Sequence, residues 1–446
     1  MKKTVHALFT VLTFLFGMFQ VQSTFAALPI QKADLPTGAK LFFVAARTIP
    51  MVNIGIDFPG GSAYDPFHKY GVAEFTAELM DKGSKIQGVE KNEAYIADSI
   101  SDLGSMVNFH ASNETGSVRI KTLSKAEVLN SVINQVSDML AYPTFNPKIL
   151  EREKARTRSS LLESKTKPEF LLGEQFKKMI YRDHPLGNEE TIETIAKIEV
   201  ADLKKFHQMY YRANQMNVII VGDVDFNQAI EIGTRLTKNL PTGPIVNTTL
   251  PSLMALPVAD QATREVKIAH PSAQAHIQMG ITSPPRKDPD YFPLLVGNYI
   301  LGGGGFVSRL MNEIREKRGL AYSVSSYFYP AKNSGFFTAS LQTRKDQSNE
   351  AATLLKDTIA QFVEKGPTDE EMLAAKNNLI NGFPLRIDSN NKLLENLSAI
   401  AWLDLPLDTL DTWTEHVQEI TKENVQAAFK KHLLMDRMVT VTVGGK

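Results

Sequence analysis

Residues 67–84 run FHKYGVAEFTAELMDKGS. Val72, Phe75, Leu79 and Met80 recur at near-helical spacing, which predicts an amphipathic helix over 71–82 with Gly83 as its C-terminal cap. Glu74, Glu78 and Asp81 fall at i, i+4 and i+7, so three carboxylates share one helix face. Like charges at that spacing repel by roughly a few tenths of a kcal/mol per pair unless a cation sits opposite.

Outward from this helix the pattern changes. Upstream, residues 41–44 are apolar and residues 52–58 alternate as a half-buried strand does, and a Pro-Gly-Gly-Ser turn at 59–62 leads into the helix. Downstream come a helix over 91–103, strands over 106–111 and 116–123, and helices over 125–140 and 147–164. Strands adjacent in pairs predict an α+β fold with a mostly antiparallel sheet rather than a doubly wound parallel one.

An internal repeat doubles this unit. Ile198-Glu-Val-Ala-Asp-Leu203 and Ile420-Thr-Lys-Glu-Asn-Val425 each open a helix, and the strands after them, ending at Gly222 and Gly444, keep the same offset (420 − 198 = 222; 444 − 222 = 222). Two homologous α+β domains are therefore expected, over 30–240 and 264–446, joined by a proline-rich linker at 241–263. In the second half, strands are read over 322–329 and 335–343 and a helix over 349–365. An acidic helix start follows at Thr368, and Trp402 and Trp413 are assigned to the core.

Composition narrows the possibilities. The 446 residues carry 49 Lys plus Arg against 49 Asp plus Glu, so net charge gives no reason to expect nucleic acid or an anionic membrane as partner. With no cysteine, disulfides, thiolate metal sites and thiol nucleophiles are excluded. Lys2 and Lys3, an apolar run over 7–19 and small residues up to Ala27 read as a signal peptide, residues 1–26, cleaved near Ala26. The run is too short and too interrupted for a membrane anchor, so a soluble, exported, periplasmic protein is expected.

The stretch GVAEFTAELMDKGS resembles the inverted zinc motif, His-x-x-Glu-His, of the pitrilysin, insulinase and mitochondrial processing peptidase family. The frame is kept and the chemistry is not. Glu74 and Glu78 stand where the resemblance puts two ligand histidines, and Ala77 stands where it puts the glutamate that activates water. On residues 149–163, Glu153 matches a conserved glutamate of the family pattern and Ser160 falls at the third-ligand position. Zinc catalysis needs ligands that hold the ion and a base for its water, and a methyl group is no base. No metal is expected on this chain. Arg152, Lys154, Arg156 and Arg158 crowd the same helix, and Arg156 is expected to pair with Glu74 or Glu78 in place of the metal. His184-Pro-Leu-Gly187 also resembles a family landmark and reads as a turn rather than a ligand.

Residues 301–323, LGGGGFVSRLMNEIREKRGLAYS, are similar to the family's second signature, and Arg315 and Tyr322 match its Arg and Tyr. The resemblance implies that this pair reaches into the catalytic chamber, binds the substrate backbone and helps stabilise the oxyanion. A charged donor and a phenol are suited to that task. Gly302, Gly303, Gly304 and Gly305 lack the Lys-Ser/Thr of a phosphate loop and are assigned to a packed or flexible substrate-binding loop.

A lost zinc side beside a kept substrate side implies, by resemblance, the non-catalytic subunit of a heterodimeric zinc peptidase. Its clamshell halves would join a partner that carries His-x-x-Glu-His and the zinc, acting on peptide or unfolded protein. Two alternatives stand beside this. One is a stand-alone peptide clamp or chaperone using the edge of strand 106–111. The other is an atypical hydrolase with Ca²⁺, Mg²⁺ or Mn²⁺ on Glu74, Glu78 and Asp81.

Overall fold

The computed structural model describes residues 29–445, apart from 245, 259, 260 and 334. The signal-peptide reading of residues 1–26 lies outside them. The first half builds one sheet from β1 (Gln31–Asp34), β2 (Lys40–Ala45), β3 (Met51–Pro59), β6 (Met106–Ala111), β7 (Thr115–Leu123) and β8 (Asn217–Gly222), with β4 (Gly83–Ile86) and β5 (Val89–Asn92) as a separate hairpin. The second half builds another from β9 (Glu265–Ile268), β10 (Gln274–Ser283), β11 (Ala321–Tyr329), β12 (Gly335–Arg344) and β13 (Val439–Val443). Their orders are β1-β2-β8-β3-β7-β6 and β11-β12-β10-β13-β9. Only β2–β8 and β9–β13 pair in parallel; the other pairs are antiparallel. The α+β fold class stands, and in both sheets the last strand of the half inserts between two of its early strands, β8 between β2 and β3 and β13 between β9 and β10.

The two halves are tied by an exchange of helices. Helix Pro168–Tyr181, from the first half, packs on β10 and β13, while helix Asn390–Leu403, from the second, packs on β3 and β8. Their starts share the repeat offset (390 − 168 = 222). Each sheet thus has a face closed by a helix from the other half. This corrects the half-buried reading of β3, which is buried from Val52 to Pro59. Asn53 and Asp57, on the side the alternation assigns to solvent, are each 4% exposed. Close approach also explains two glycines. A Cβ on Gly280 would stand 2.4 Å from the Phe176 ring, and one on Gly55 would stand 3.5 Å from a Leu394 methyl and 3.3 Å from an Arg119 nitrogen.

One apolar core spans the seam, running from Phe42, Val44, Ile219 and Val221 through Phe176 and Ile180 to Ile277, Phe362 and Phe429. A second fills the opposite face of the first sheet around Phe43, Phe58, Phe75 and Tyr211. The linker joins in, with Leu250 and Leu256 buried and the Tyr64 hydroxyl donating to the Thr248 carbonyl at 2.9 Å. Trp413 is core, stacked on Phe383, whereas Trp402 is half-buried with Lys332 over its ring. Among the described residues no helix is long and apolar enough to cross a membrane.

The helix predicted over 71–82 ends earlier, at Val72–Glu78, and tightens into a 3₁₀ turn at Leu79–Asp81. Gly83 does not cap it; its carbonyl accepts from Thr144 N at 3.0 Å and the residue opens β4, whose pairing with β5 pulls the chain off the helix axis.

At the seam, Arg119 Nη1 donates to Asp57 Oδ1 at 2.7 Å and its Nε meets Glu395 Oε1 at 3.2 Å. Burial pushes the Asp57 carboxyl up and the guanidinium opposes that shift. Arg119→Leu leaves a buried acid without its partner and should cost about 3 kcal/mol of stability. Urea unfolding checks this, and the double variant Asp57→Asn with Arg119→Leu should recover most of the loss; a double as unstable as the single would assign the loss to packing.

Candidate functional site

The carboxylate helix starts where it does because Gly71 takes φ +109°, open to glycine alone at little strain, and because Asp65 receives the Gly71 and Ala73 amides at 2.7 Å each. Val72, Phe75 and Ala77 face the core. Glu74 and Glu78 are left facing a cavity of about 350 Å³, whose wall also includes Ala77, Asp81, His110 of β6, Arg156 and Ser160 of helix Pro147–Ser164, and Glu190. The structure therefore brings Glu74, Ala77, Glu78 and Ser160 together.

Arg156 stands in the cavity wall. Its Nη1 donates to Glu153 Oε2 at 3.1 Å and its Nη2 lies 3.7 Å from Glu78 Oε1. The expected pairing with Glu78 is present, though the Arg156 side chain is 74% exposed and such a pair contributes only about 0–1 kcal/mol. Glu153 is 1% exposed and is also held by Arg152 Nε at 2.7 Å. Burial first, then the neighbouring Glu153, pushes Glu78 up to about 7. Burial, with Glu74 and Glu78 adding, pushes Glu190 up to about 7 as well, and burial does the same to Asp65.

This donor set does not fit zinc. Two carboxylates replace nitrogen ligands, a methyl occupies the place of the base, and a guanidinium already supplies positive charge beside Glu78. Sequence reasoning missed Glu190, Asp65 and His110. Glu189-Glu190 precedes the Thr191 helix cap, and no local pattern shows that this turn folds back onto Glu74.

Arg315 and Tyr322 do not line this cavity. They form a unit of their own on the second half. The Arg315 guanidinium lies 4.8 Å from the Phe306 ring centre and 5.4 Å from that of Tyr322, and its Nη1 donates to Glu316 Oε1 at 2.7 Å. Tyr322 is 86% exposed, beside a register shift where the edge strand β11 pairs with β12. Wide-turn π segments, Tyr299–Gly303 and Met311–Glu316, flank the glycine run, a geometry that clusters at functional sites. Gly302 is a packing glycine, since a Cβ would stand 2.5 Å from Ser326 N; Gly303 and Gly304 are similarly crowded by Asn298 and Tyr299. Gly305 instead needs its φ of +62°. His184 makes a turn, with Nε2 bonded to the Pro251 carbonyl at 2.8 Å.

Residues 42–193 match the model described as Insulinase (Peptidase family M16), and residues 197–379 match Peptidase M16 inactive domain. A crystal structure of a peptidase M16 inactive domain from Pseudomonas fluorescens is 32% identical to the chain, covers 94% of it and 98% of itself, and superposes with a TM-score of 0.88. The chain belongs to peptidase family M16. A non-peptidase homolog, YmxG of Helicobacter pylori, is 25% identical over 98% of each chain. The periplasmic protease PqqL from Escherichia coli, 16% identical with a TM-score of 0.77, shares the fold over 94% of this chain and 45% of its own. The M16 proteins this chain is similar to thus include a non-peptidase homolog and an inactive domain, and Glu74, Ala77 and Glu78 stand where the resemblance puts the family's two histidine ligands and its base.

A carboxyl whose folded pKa is raised holds its proton in the folded state at pH values where the unfolded chain has lost it. Glu78 and Glu190 therefore make stability fall as pH rises from about 4.5 to about 7, with the slope set by extra protons bound when folded. Glu190→Gln should flatten that part of the melting-temperature profile. An unchanged slope would remove Glu190 from the account.

Proposed function

We propose that this chain is the non-catalytic subunit of a heterodimeric zinc peptidase, exported to the periplasm. It lends Arg315 and Tyr322 to an active site whose zinc and His-x-x-Glu-His motif belong to a second M16 chain. The observation that carries the reading is the preformed Arg315–Tyr322 unit on the second half of a chain whose first half lacks the histidine ligands and the base. The guanidinium is packed between two rings and Tyr322 is almost fully exposed, so both groups are set toward a surface that this chain does not itself cover.

Chemically the division of labour is coherent. A zinc held by the partner's His-x-x-Glu-His would supply Lewis-acid activation of the scissile carbonyl and of water, and Arg315 and the Tyr322 hydroxyl donate to the oxyanion and the substrate backbone. Gly302 to Gly305 shape the loop next to them. The chain itself takes no zinc in this reading, and its substrate is an extended peptide or an unfolded segment. Export rests on the signal-peptide reading of residues 1–26.

A second reading has an observation of its own. β6 is an edge strand, paired with β7 and open on its other side, and Met106 is 59% exposed. A peptide adding to that edge would be held without being cut, as in a stand-alone clamp.

The discriminating experiment mixes this chain with an M16 chain that retains His-x-x-Glu-His and follows cleavage of a quenched fluorescent peptide. Each chain alone should be slow or inert, and the mixture active with one zinc per pair. Arg315→Ala should lower turnover of the mixture by about 10²-fold, and Tyr322→Phe by less. Full turnover with both residues removed would sink the assignment; peptide binding by this chain alone, with no gain on mixing, would favour the clamp.

A further inference from the structure

A further cavity lies apart from both sites above. It opens in the seam between the halves, about 600 Å³, walled by Phe42 and Tyr64 of the first half, Thr248 of the linker and Trp402 of the exchanged helix. Domain seams are where small-molecule sites concentrate.

Its charge is one-sided. Lys32, Lys40, Lys287 and Lys332 all line it, against the carboxylates of Glu114 and Asp404. Lys287 is spent on Asp404, at 2.9 Å. Among the described residues, Lys32, Lys40 and Lys332 have no carboxylate within ion-pair distance. Two of them rest on aromatic wall, with Lys32 Nζ 5.3 Å from the Phe42 ring centre and Lys332 Nζ 4.8 Å from that of Trp402. The field they make is felt by Asp404, whose carboxyl is held below its ordinary value by Lys287 and then by Lys40 and Lys32. Glu114 is the remaining counter-charge, and burial pushes its carboxyl up. Three ammonium groups without a carboxylate partner line one cavity, and an anion bound there would take charge-assisted hydrogen bonds from them.

We propose that the seam cavity is a binding site for a small organic polyanion of the phosphate or polycarboxylate class, held by Lys32, Lys40 and Lys332 against the Trp402 wall. The site is independent of the peptidase reading, since none of these residues lines the Glu74–Glu78 cavity or touches the Arg315–Tyr322 unit. Because its walls come from both halves, a bound polyanion stabilises the closed seam by mass action.

Trp402 reports on its own site, for the other tryptophan, Trp413, is buried under Phe383. The full-length chain is titrated with sodium pyrophosphate, ATP and citrate in parallel, with sodium chloride matched for ionic strength. Expected are a saturable change in tryptophan emission with half-saturation below about 1 mM for at least one probe, and a higher melting temperature. Pyrophosphate and ATP acting without citrate would identify a phosphate site; citrate acting alone would identify a carboxylate site. The triple variant Lys32→Ala, Lys40→Ala, Lys332→Ala removes exposed side chains only, and should bind about tenfold or more weakly while melting normally without probe. Trp402→Phe should lose the emission change and keep the shift in melting temperature. No saturation below that concentration, a response equal to the chloride control, or unaltered affinity in the triple variant would each overturn the proposal.

Discussion

The exchange of helices across the seam is the constraint on which the architecture rests. A six-stranded and a five-stranded sheet each expose an apolar face that must be closed. Each is closed by the other half's helix, Pro168–Tyr181 in one direction and Asn390–Leu403 in the other. Neither half can therefore complete its core alone. Buried Leu394 and Leu397 belong to one sequence repeat and one apolar core while packing beside the other repeat's strands. The glycines at 55 and 280 permit the close approach, and Asp57 with Arg119 and Glu395 fixes its polar edge.

This arrangement explains what the sequence disclosed and what it concealed. Local periodicity located the helices and strands because most elements bury one stripe or one face, and the 222-residue offset disclosed the doubling. The same periodicity misread β3. Alternation reports only that one side is polar, and it carries no information about a helix more than 300 residues later that covers that side. Trp402 was misplaced for the matching reason, since the helix surface it stands on lines a cavity made by several segments distant in sequence. Gly83 looked like a helix cap because glycine after an apolar turn usually is one, whereas here a hairpin competes for it and wins.

The metal cavity was legible in part. Glu74, Ala77 and Glu78 follow from one helix, and Ser160 and Arg156 from a second whose approach to the first the family resemblance implied. Glu190 was invisible because a turn residue has no period. Its contribution is nonetheless large in kind: it joins Glu74 and Glu78 on one cavity wall, and there burial and neighbouring acids push the Glu78 and Glu190 carboxyls up. Arg156 relieves this only at the rim, where its guanidinium is mostly in water.

That division bears on what the chain retains. Gly71 at its left-handed turn, Asp65 on the helix amides and buried Glu153 between two arginines together hold the ground around the Glu74–Glu78 cavity. Losing the ligands did not require losing the scaffold, because helix Val72–Glu78 is anchored by Val72, Phe75 and Ala77 in the core rather than by any metal. A scaffold that keeps its shape without zinc keeps the second half in register with it, and so keeps Arg315 and Tyr322 aimed. The aim depends on packing that includes Gly302 against Ser326 and the guanidinium between Phe306 and Tyr322, none of which involves the vanished ligands. The Glu74–Glu78 cavity and the Arg315–Tyr322 unit are thus built from separate packing, and the proposed division of labour between two chains requires that separation.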